Sequence, residues 1–363
     1  MSVINSSRLL VLTITTTVII VAVLAATINR GLPISKDDTE STGLVWEPPD
    51  TSQIPHTDEG LLIRYGRDLI VNTSWYLGPK GKVAKITNGM NCQNCHLDAG
   101  TRTWGNNYGG VFSTYPKYRE RSGTIENIYK RVNDCIDRSL NGHIIDTSGR
   151  EMQAMAAYIN WVGQKIPKNV KPTGAGIRDL SFIDRPADPA KGQNVFIQKC
   201  QRCHGANGSG TLLFDSSGYL YPPLWGDNSY NTGAGLYRIG RFAGFVRDNM
   251  PFDAPHNSEP LTDEQAWDVA AFVNSQPRPQ KDYGKDYPNI AGKPVDHPFG
   301  PFIDGFSEEQ HKYGPFKAIS LARKKKHTDK RHDRGKHLDW LLKLNLAEYK
   351  REELYEPRNR CRQ

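Results

Sequence analysis

The sequence predicts an all-α fold, two tandem domains preceded by an N-terminal hydrophobic helix. Three observations carry this. The pentapeptides Cys92-Gln93-Asn94-Cys95-His96 and Cys200-Gln201-Arg202-Cys203-His204 share one form and stand 108 residues apart (200 − 92). Each lies between two stretches whose apolar residues recur at helical spacing. Alternating runs of the strand kind are few. At 363 residues there is room for two domains of ~100–150 residues plus extensions.

From the N-terminus, Leu9 to Ala26 is an uncharged, mostly apolar run of 18 residues between Arg8 and Arg30. It is long for the core of a signal peptide and close to the ~20 residues of a spanning helix. Val23-Leu24-Ala25 offers a small-residue cleavage site, so a cleaved signal and a retained anchor both fit residues 1–30. Either places the rest of the chain outside the cytoplasm, in the periplasm. Residues 31–56, rich in Pro, Ser, Thr and acidic groups, read as a tether.

The first domain spans 57–166. Glu59 to Thr73 sets Leu61, Leu62, Tyr65, Leu69 and Ile70 at helical spacing, and Gly149 to Ile166 is a second amphipathic helix that closes the domain. Residues 167–180, with Pro172, Gly174 and Gly176, read as a linker. The plan repeats over 181–280, with Asp188 to Lys199 leading into the second pentapeptide and Leu261 to Ser275 closing the domain. A C-terminal segment, 281–321, and a basic tail, 322–363, follow.

The pentapeptides have the CxxCH form of c-type haem attachment. Two cysteines form thioethers to the haem vinyl groups, and the adjacent histidine becomes the proximal iron ligand. Cys92, Cys95, Cys200 and Cys203 are therefore expected to hold two covalent haems, with His96 and His204 on the irons. A zinc site would need further ligand pairs, and there is no other CxxC. The clustered His327, His332 and His337 have no cysteine pair beside them. The chain reads as a dihaem cytochrome with two small c-type domains, each using its haem as part of the core.

Each iron then has one further position. In the second domain Met250 follows His204 by 46 residues (250 − 204), stands before Pro251, and is the only methionine downstream of that histidine. A thioether there raises the potential, as suits an electron-transfer haem. The first domain offers Met90, too near Cys92 to reach round a haem, and Met152 and Met155, which belong to the closing helix. At a comparable distance, 39 residues after His96 (135 − 96), stands Cys135. Ile125, Ile128, Val132 and Cys135 fall on one helical face, with Thr124 as N-cap. Cys135 as one more buried core residue is the plain alternative, and His143 is another candidate ligand. Arg131 lies one turn before Cys135; Arg138 and Ser139 lie one turn after it, with Arg119 and Arg121 upstream. Guanidinium groups favour thiolate over thiol and attract anions, and they also bind haem propionates.

The net charge of +8 is concentrated. Residues 322–363 hold 14 Lys/Arg and 7 Asp/Glu, so the tail carries +7 and the remainder +1. The body is not a nucleic-acid binder by charge. The tail reads as a solvated extension, with contact to anionic lipid or an acidic partner as the alternative. Of the six cysteines, Cys135 and Cys361 are not spent on haem, and only the oxidising compartment speaks for a disulfide between them.

At Asn91-Cys92-Gln93-Asn94-Cys95-His96-Leu97, Tyr115-Pro116-Lys117-Tyr118-Arg119, Arg131-Val132-Asn133-Asp134-Cys135 and Arg138-Ser139-Leu140-Asn141-Gly142 the sequence resembles the dihaem thiosulfate dehydrogenases. Pro222-Pro223-Leu224-Trp225-Gly226, Ser229-Tyr230-Asn231, Asn249-Met250-Pro251 and His311-Lys312-Tyr313-Gly314-Pro315-Phe316 extend the resemblance. It implies that Cys135 is the distal ligand of a catalytic haem and that Arg121, Arg131 and Ser139 surround the substrate. It also implies coupling of two thiosulfates to tetrathionate, with electrons passed to a cytochrome acceptor. Where some relatives have lysine, this chain has Asn249, so Met250 alone is expected on the second iron. The tail after Ala322 matches nothing in that pattern. Two rival readings stand beside this one: the reverse reaction, reduction of tetrathionate, and a dihaem electron carrier without catalysis. Cys135 has three roles open to it: a low-potential ligand, a ligand that leaves on substrate binding, or the site of a transient sulfur-linked adduct.

Overall fold

A computed structural model of the chain describes residues 43–252 and 261–326. The apolar run 9–26, Cys361 and the tail beyond 326 lie outside these residues. Among the described residues, no helix is long and apolar enough to cross a membrane.

In chain order the helices are α1 (Asp58–Val71), α2 (Thr73–Leu77), α3 (Val111–Thr114), α4 (Ile128–Arg138), α5 (Arg150–Gly163), α6 (Pro189–Lys199), α7 (Gln201–His204), α8 (Ile239–Asn249), α9 (Asp263–Ser275) and α10 (Glu308–Tyr313). Residues 316–326 add a last helical run. Two short antiparallel hairpins interrupt the helices: β1 (Lys117–Arg119) with β2 (Thr124–Glu126), and β3 (Thr211–Leu212) with β4 (Tyr219–Tyr221).

The two domains repeat one crossing. In the first, Thr57 caps α1 by accepting the Gly60 amide at 3.2 Å, and α1 packs on α5. In the second, Asp188 caps α6, Pro189 occupies its first turn, and α6 packs on α9. Both crossings are made at a glycine. A Cβ on Gly66 would lie 1.9 Å from the Ala154 carbonyl oxygen, and one on Gly192 would lie 1.9 Å from that of Asp268. The apolar interior is not divided at the domain boundary. Leu97, Ile136 and Leu140 of the first domain share one cluster with Phe196, Tyr230 and Trp267 of the second.

Several sequence expectations change. Thr124 is not the cap of the Cys135 helix. It pairs with Arg119 in the hairpin, and Asn127 caps α4 by accepting the Lys130 amide at 2.9 Å. Gly123 at φ 66 closes the hairpin turn, which takes Ile125 out of the helical face and leaves it exposed. The tether expected over 31–56 is, from residue 44 onward, part of the fold. Trp46 is buried in the first core, and its amide donates to the Thr173 carbonyl at 2.8 Å. The linker over 167–180 is likewise packed, with Ile177 buried and the Gly174 and Gly176 carbonyls accepting from Trp104 and Asn106.

The segment after residue 280 holds onto both domains. Asp296 pairs with Arg238 at 2.5 Å. His311, fully buried, meets the Val295 carbonyl at 2.7 Å and Asp304 at 2.8 Å, and Asp304 also pairs with Arg323 at 2.8 Å. The basic tail therefore begins later than residue 322, because Arg323 is part of this buried group.

Candidate active site

Cys92 opens a short helical turn whose entry is fixed by Asn91 and Asn94, and its amide donates to Thr73 Oγ1 at 2.9 Å. Burial pushes the Cys92 thiol up to about 11 and the Cys95 thiol up to about 12; a charge on Cys135 adds to both. His96 donates Nδ1–H to the Asn106 carbonyl at 2.5 Å, and burial lowers its pKa to about 4. The ring is thus a neutral imidazole with Nε2 as its free lone pair, the form an iron ligand needs. Tyr108 stacks on it at 4.6 Å. His204 repeats the arrangement, donating Nδ1–H to the Pro222 carbonyl at 2.8 Å, with its pKa lowered by burial.

Other groups also fit covalent haem. Arg278 is buried against Tyr230 and Tyr237, donates one N–H to the Val273 carbonyl, and leaves Nε and Nη1 without a partner. Two unpaired donors of a buried guanidinium suit a haem propionate. Met250 ends α8 and packs against the shared core. Its neighbour Asn249 is buried and donates to the Trp104 and Phe245 carbonyls, so it is a strut between the domains. Met152 and Met155 are fully buried on α5, as core residues are.

Cys135 sits in the last turn of α4, and its charge is felt at Cys92, Cys95 and Tyr108. It is only partly buried, and Ile136 takes the core position beside it. His143, the other candidate ligand, is exposed. Arg131 stands one turn from Cys135, ~6 Å along the axis, where a unit charge at an effective dielectric of ~20 contributes about 3 kcal/mol. The Cys135 charge is in turn the largest influence holding the Arg131 pKa up. Among the described residues Arg131 has no carboxylate at ion-pair distance, whereas Arg119 faces Glu126 at 3.9 Å.

The remaining predicted residues divide. Ser139 is the C-cap of α4, its amide bonded to the Cys135 carbonyl at 2.7 Å, so Arg131, Cys135 and Ser139 share one face. Arg138 is instead committed to Asp286 through two bonds of 2.7 and 2.8 Å. Arg121 donates to the Gly233 carbonyl at 2.7 Å, lies 3.9 Å from Asp286 and covers Tyr287. Its pKa is lowered, chiefly by burial. Asp286 and Tyr108 are the residues that sequence reading missed. No local signal ties Asp286 to an arginine 148 positions away.

Comparison with known proteins finds a family over each CxxCH motif. The family described as SoxA/TsdA, cytochrome c domain, matches residues 82–167, and cytochrome c matches residues 189–277. The thiosulfate dehydrogenase of Psychrobacter arcticus is 35% identical over 255 residues, 69% of this chain and 74% of its own length. That of Allochromatium vinosum is 40% identical over 198 residues, 53% of this chain and 72% of its own. Among solved structures, the thiosulfate dehydrogenase (TsdBA) of Marichromatium purpuratum in its as-isolated form superposes with a TM-score of 0.61 at 29% identity, over 75% of this chain. The chain spans 54% of that longer protein. With two CxxCH sites in two cytochrome c domains and relatives of this identity and coverage, the chain belongs to the thiosulfate dehydrogenase family of dihaem c-type cytochromes.

Proposed function

We propose that the protein oxidises two thiosulfates to one tetrathionate. A sulfur–sulfur bond forms between the two substrates, and two electrons leave for a one-electron carrier protein. The single observation that supports this best is Arg131, free of any carboxylate at ion-pair distance among the described residues and one helical turn from Cys135. When bound, the two haems supply the two one-electron sinks that the reaction needs.

The protein residues meet the electrostatic problem of the reaction. Two unit charges 4 Å apart repel by about 4 kcal/mol at an effective dielectric of ~20, and two dianions repel about four times as strongly. Arg131 offers a charge to a substrate sulfonate one helical turn from Cys135. Ser139 adds a hydroxyl on the same face. Arg121 enters as the second cation, held at the boundary between the domains. Cys135 and Met250 are the residues that would complete the coordination of the first and second iron in this reading. In this reading the domains work in the periplasm, with residues 1–30 as export signal or anchor.

Thiosulfate added to the purified holoprotein should reduce ferricyanide, with one tetrathionate formed per two ferricyanides consumed. Absence of thiosulfate-dependent reduction would leave only an electron carrier.

A further inference from the structure

The hairpin β3–β4 is anchored to the second attachment motif at both ends. Gly210 donates its amide to the His204 carbonyl at 2.9 Å, and Thr211 donates its hydroxyl to the Cys203 carbonyl at 2.9 Å. On the return strand, Tyr221 sets its ring 6.4 Å from the His204 ring, edge-on, and the next residue, Pro222, accepts the His204 Nδ1–H bond. Between these anchors, exposed apolar side chains flank the polar turn Asp215-Ser216-Ser217. Leu212 and Leu220 are more than half exposed and Phe214 is fully exposed. Single exposed apolar residues are ordinary, but a contiguous group marks a contact surface.

The border of this hairpin is basic. Loop 79–90 carries Lys80, Lys82 and Lys85, all exposed, and no carboxylate. Lys80 ties the loop to the hairpin by donating to the Asp215 carbonyl at 2.9 Å, and Lys82 lies over the exposed Trp75 at 5.0 Å. The hairpin's own carboxylate, Asp215, is turned back onto Ser217.

We propose that these apolar side chains and their lysine border are the docking surface for the electron acceptor, a small one-electron carrier whose apolar contact patch is rimmed by carboxylates. The proposal rests on the function given above only in that two electrons must leave. A short hairpin suffices, because electron-transfer encounters use the smallest class of protein interface. Opposite charge on the rims sets the rate of encounter more than the strength of binding.

The test uses the full holoprotein, reduced with dithionite and desalted, so that thiosulfate plays no part. Stopped-flow oxidation is followed with an acidic plastocyanin and, separately, with benzoquinone, a small uncharged acceptor. Phe214→Asp and Lys80→Glu should each slow transfer to the plastocyanin about tenfold at low salt and leave the quinone rate within about twofold. Unchanged plastocyanin rates, or equal losses with both acceptors, would overturn the proposal. So would a native dimer that Phe214→Asp dissociates in sedimentation, or native binding to anionic vesicles that Phe214→Asp abolishes. Failure of thiosulfate to reduce the unaltered protein would instead overturn the proposed function and leave this docking result standing.

Discussion

Replacing Arg131 by glutamine removes a charge and keeps much of the side-chain bulk. The helical rise from Arg131 to Cys135 is ~6 Å over four residues, and a unit charge at that distance contributes about 3 kcal/mol at an effective dielectric of ~20. Solvent access to the half-buried site reduces this, so the expected loss of transition-state stabilisation is about 2–3 kcal/mol, roughly 30- to 150-fold in kcat/KM. The assay is thiosulfate-dependent ferricyanide reduction, run from low salt to about 1 M, where the screening length falls to ~3 Å. The gap between Arg131→Gln and the unaltered protein should narrow as salt rises, and Arg131→Lys should recover most of the rate. Both haems should stay attached, because neither CxxCH is touched. A gap independent of salt would refute the electrostatic argument, as would a loss below about threefold at low salt.

Cys135→Gly should keep both haems and the fold while thiosulfate oxidation falls by orders of magnitude; near-normal turnover would make Cys135 a packing residue only. Met250→Gly should abolish the long-wavelength methionine–iron absorption band of the oxidised protein with both haems retained, and survival of that band would remove Met250 as ligand. Gly192→Ala places a methyl against the Asp268 carbonyl, a backbone atom that cannot rotate away, and should cost about 2–3 kcal/mol, a Tm fall of about 4–12 °C in a thermal scan. An unchanged Tm would show that the crossing can open without cost. Ending the chain after Lys326 should preserve turnover and Tm, whereas ending it at Ala322 removes the Arg323 partner of buried Asp304 and should destabilise by about 3 kcal/mol. Equal stability of the two truncations would place Arg323 outside the fold.

How much of this was legible depended on sequence distance. The CxxCH motifs and the four long helices are local patterns, and the structure puts helices where the spacing predicts them. The face shared by Arg131, Cys135 and Ser139 is also local, a matter of 3.6 residues per turn. Ile125 happens to continue the helical period into the hairpin before α4. Ser122-Gly123 and the better cap at Asn127 were the signals against it. The packed state of residues 44–56 was hidden because one tryptophan in a polar stretch gives no periodicity, yet Trp46 is buried. Gly66 and Gly192 stand in their helices as apparent weak points, and only the facing carbonyls explain them.

The least legible feature is the one that positions the candidate site. The last carbonyls of a helix have no partner within it, and in α4 the second domain provides one. The Asn231 amide donates to the Arg138 carbonyl at 3.0 Å, and its side chain donates to the Asp137 carbonyl at 2.9 Å. Lys281 pairs with Asp137 at 2.7 Å, and Asp286 grips Arg138. All four contacts fall on the turn that carries Cys135, and all come from beyond residue 180. Arg138 is thus a strut, which leaves Arg131 as the cation on that helix for an anion to meet. The first domain supplies the thiol, but its place is set by the second domain and the segment after it. A first domain expressed alone would therefore keep its CxxCH and lose the groups that fix the end of α4.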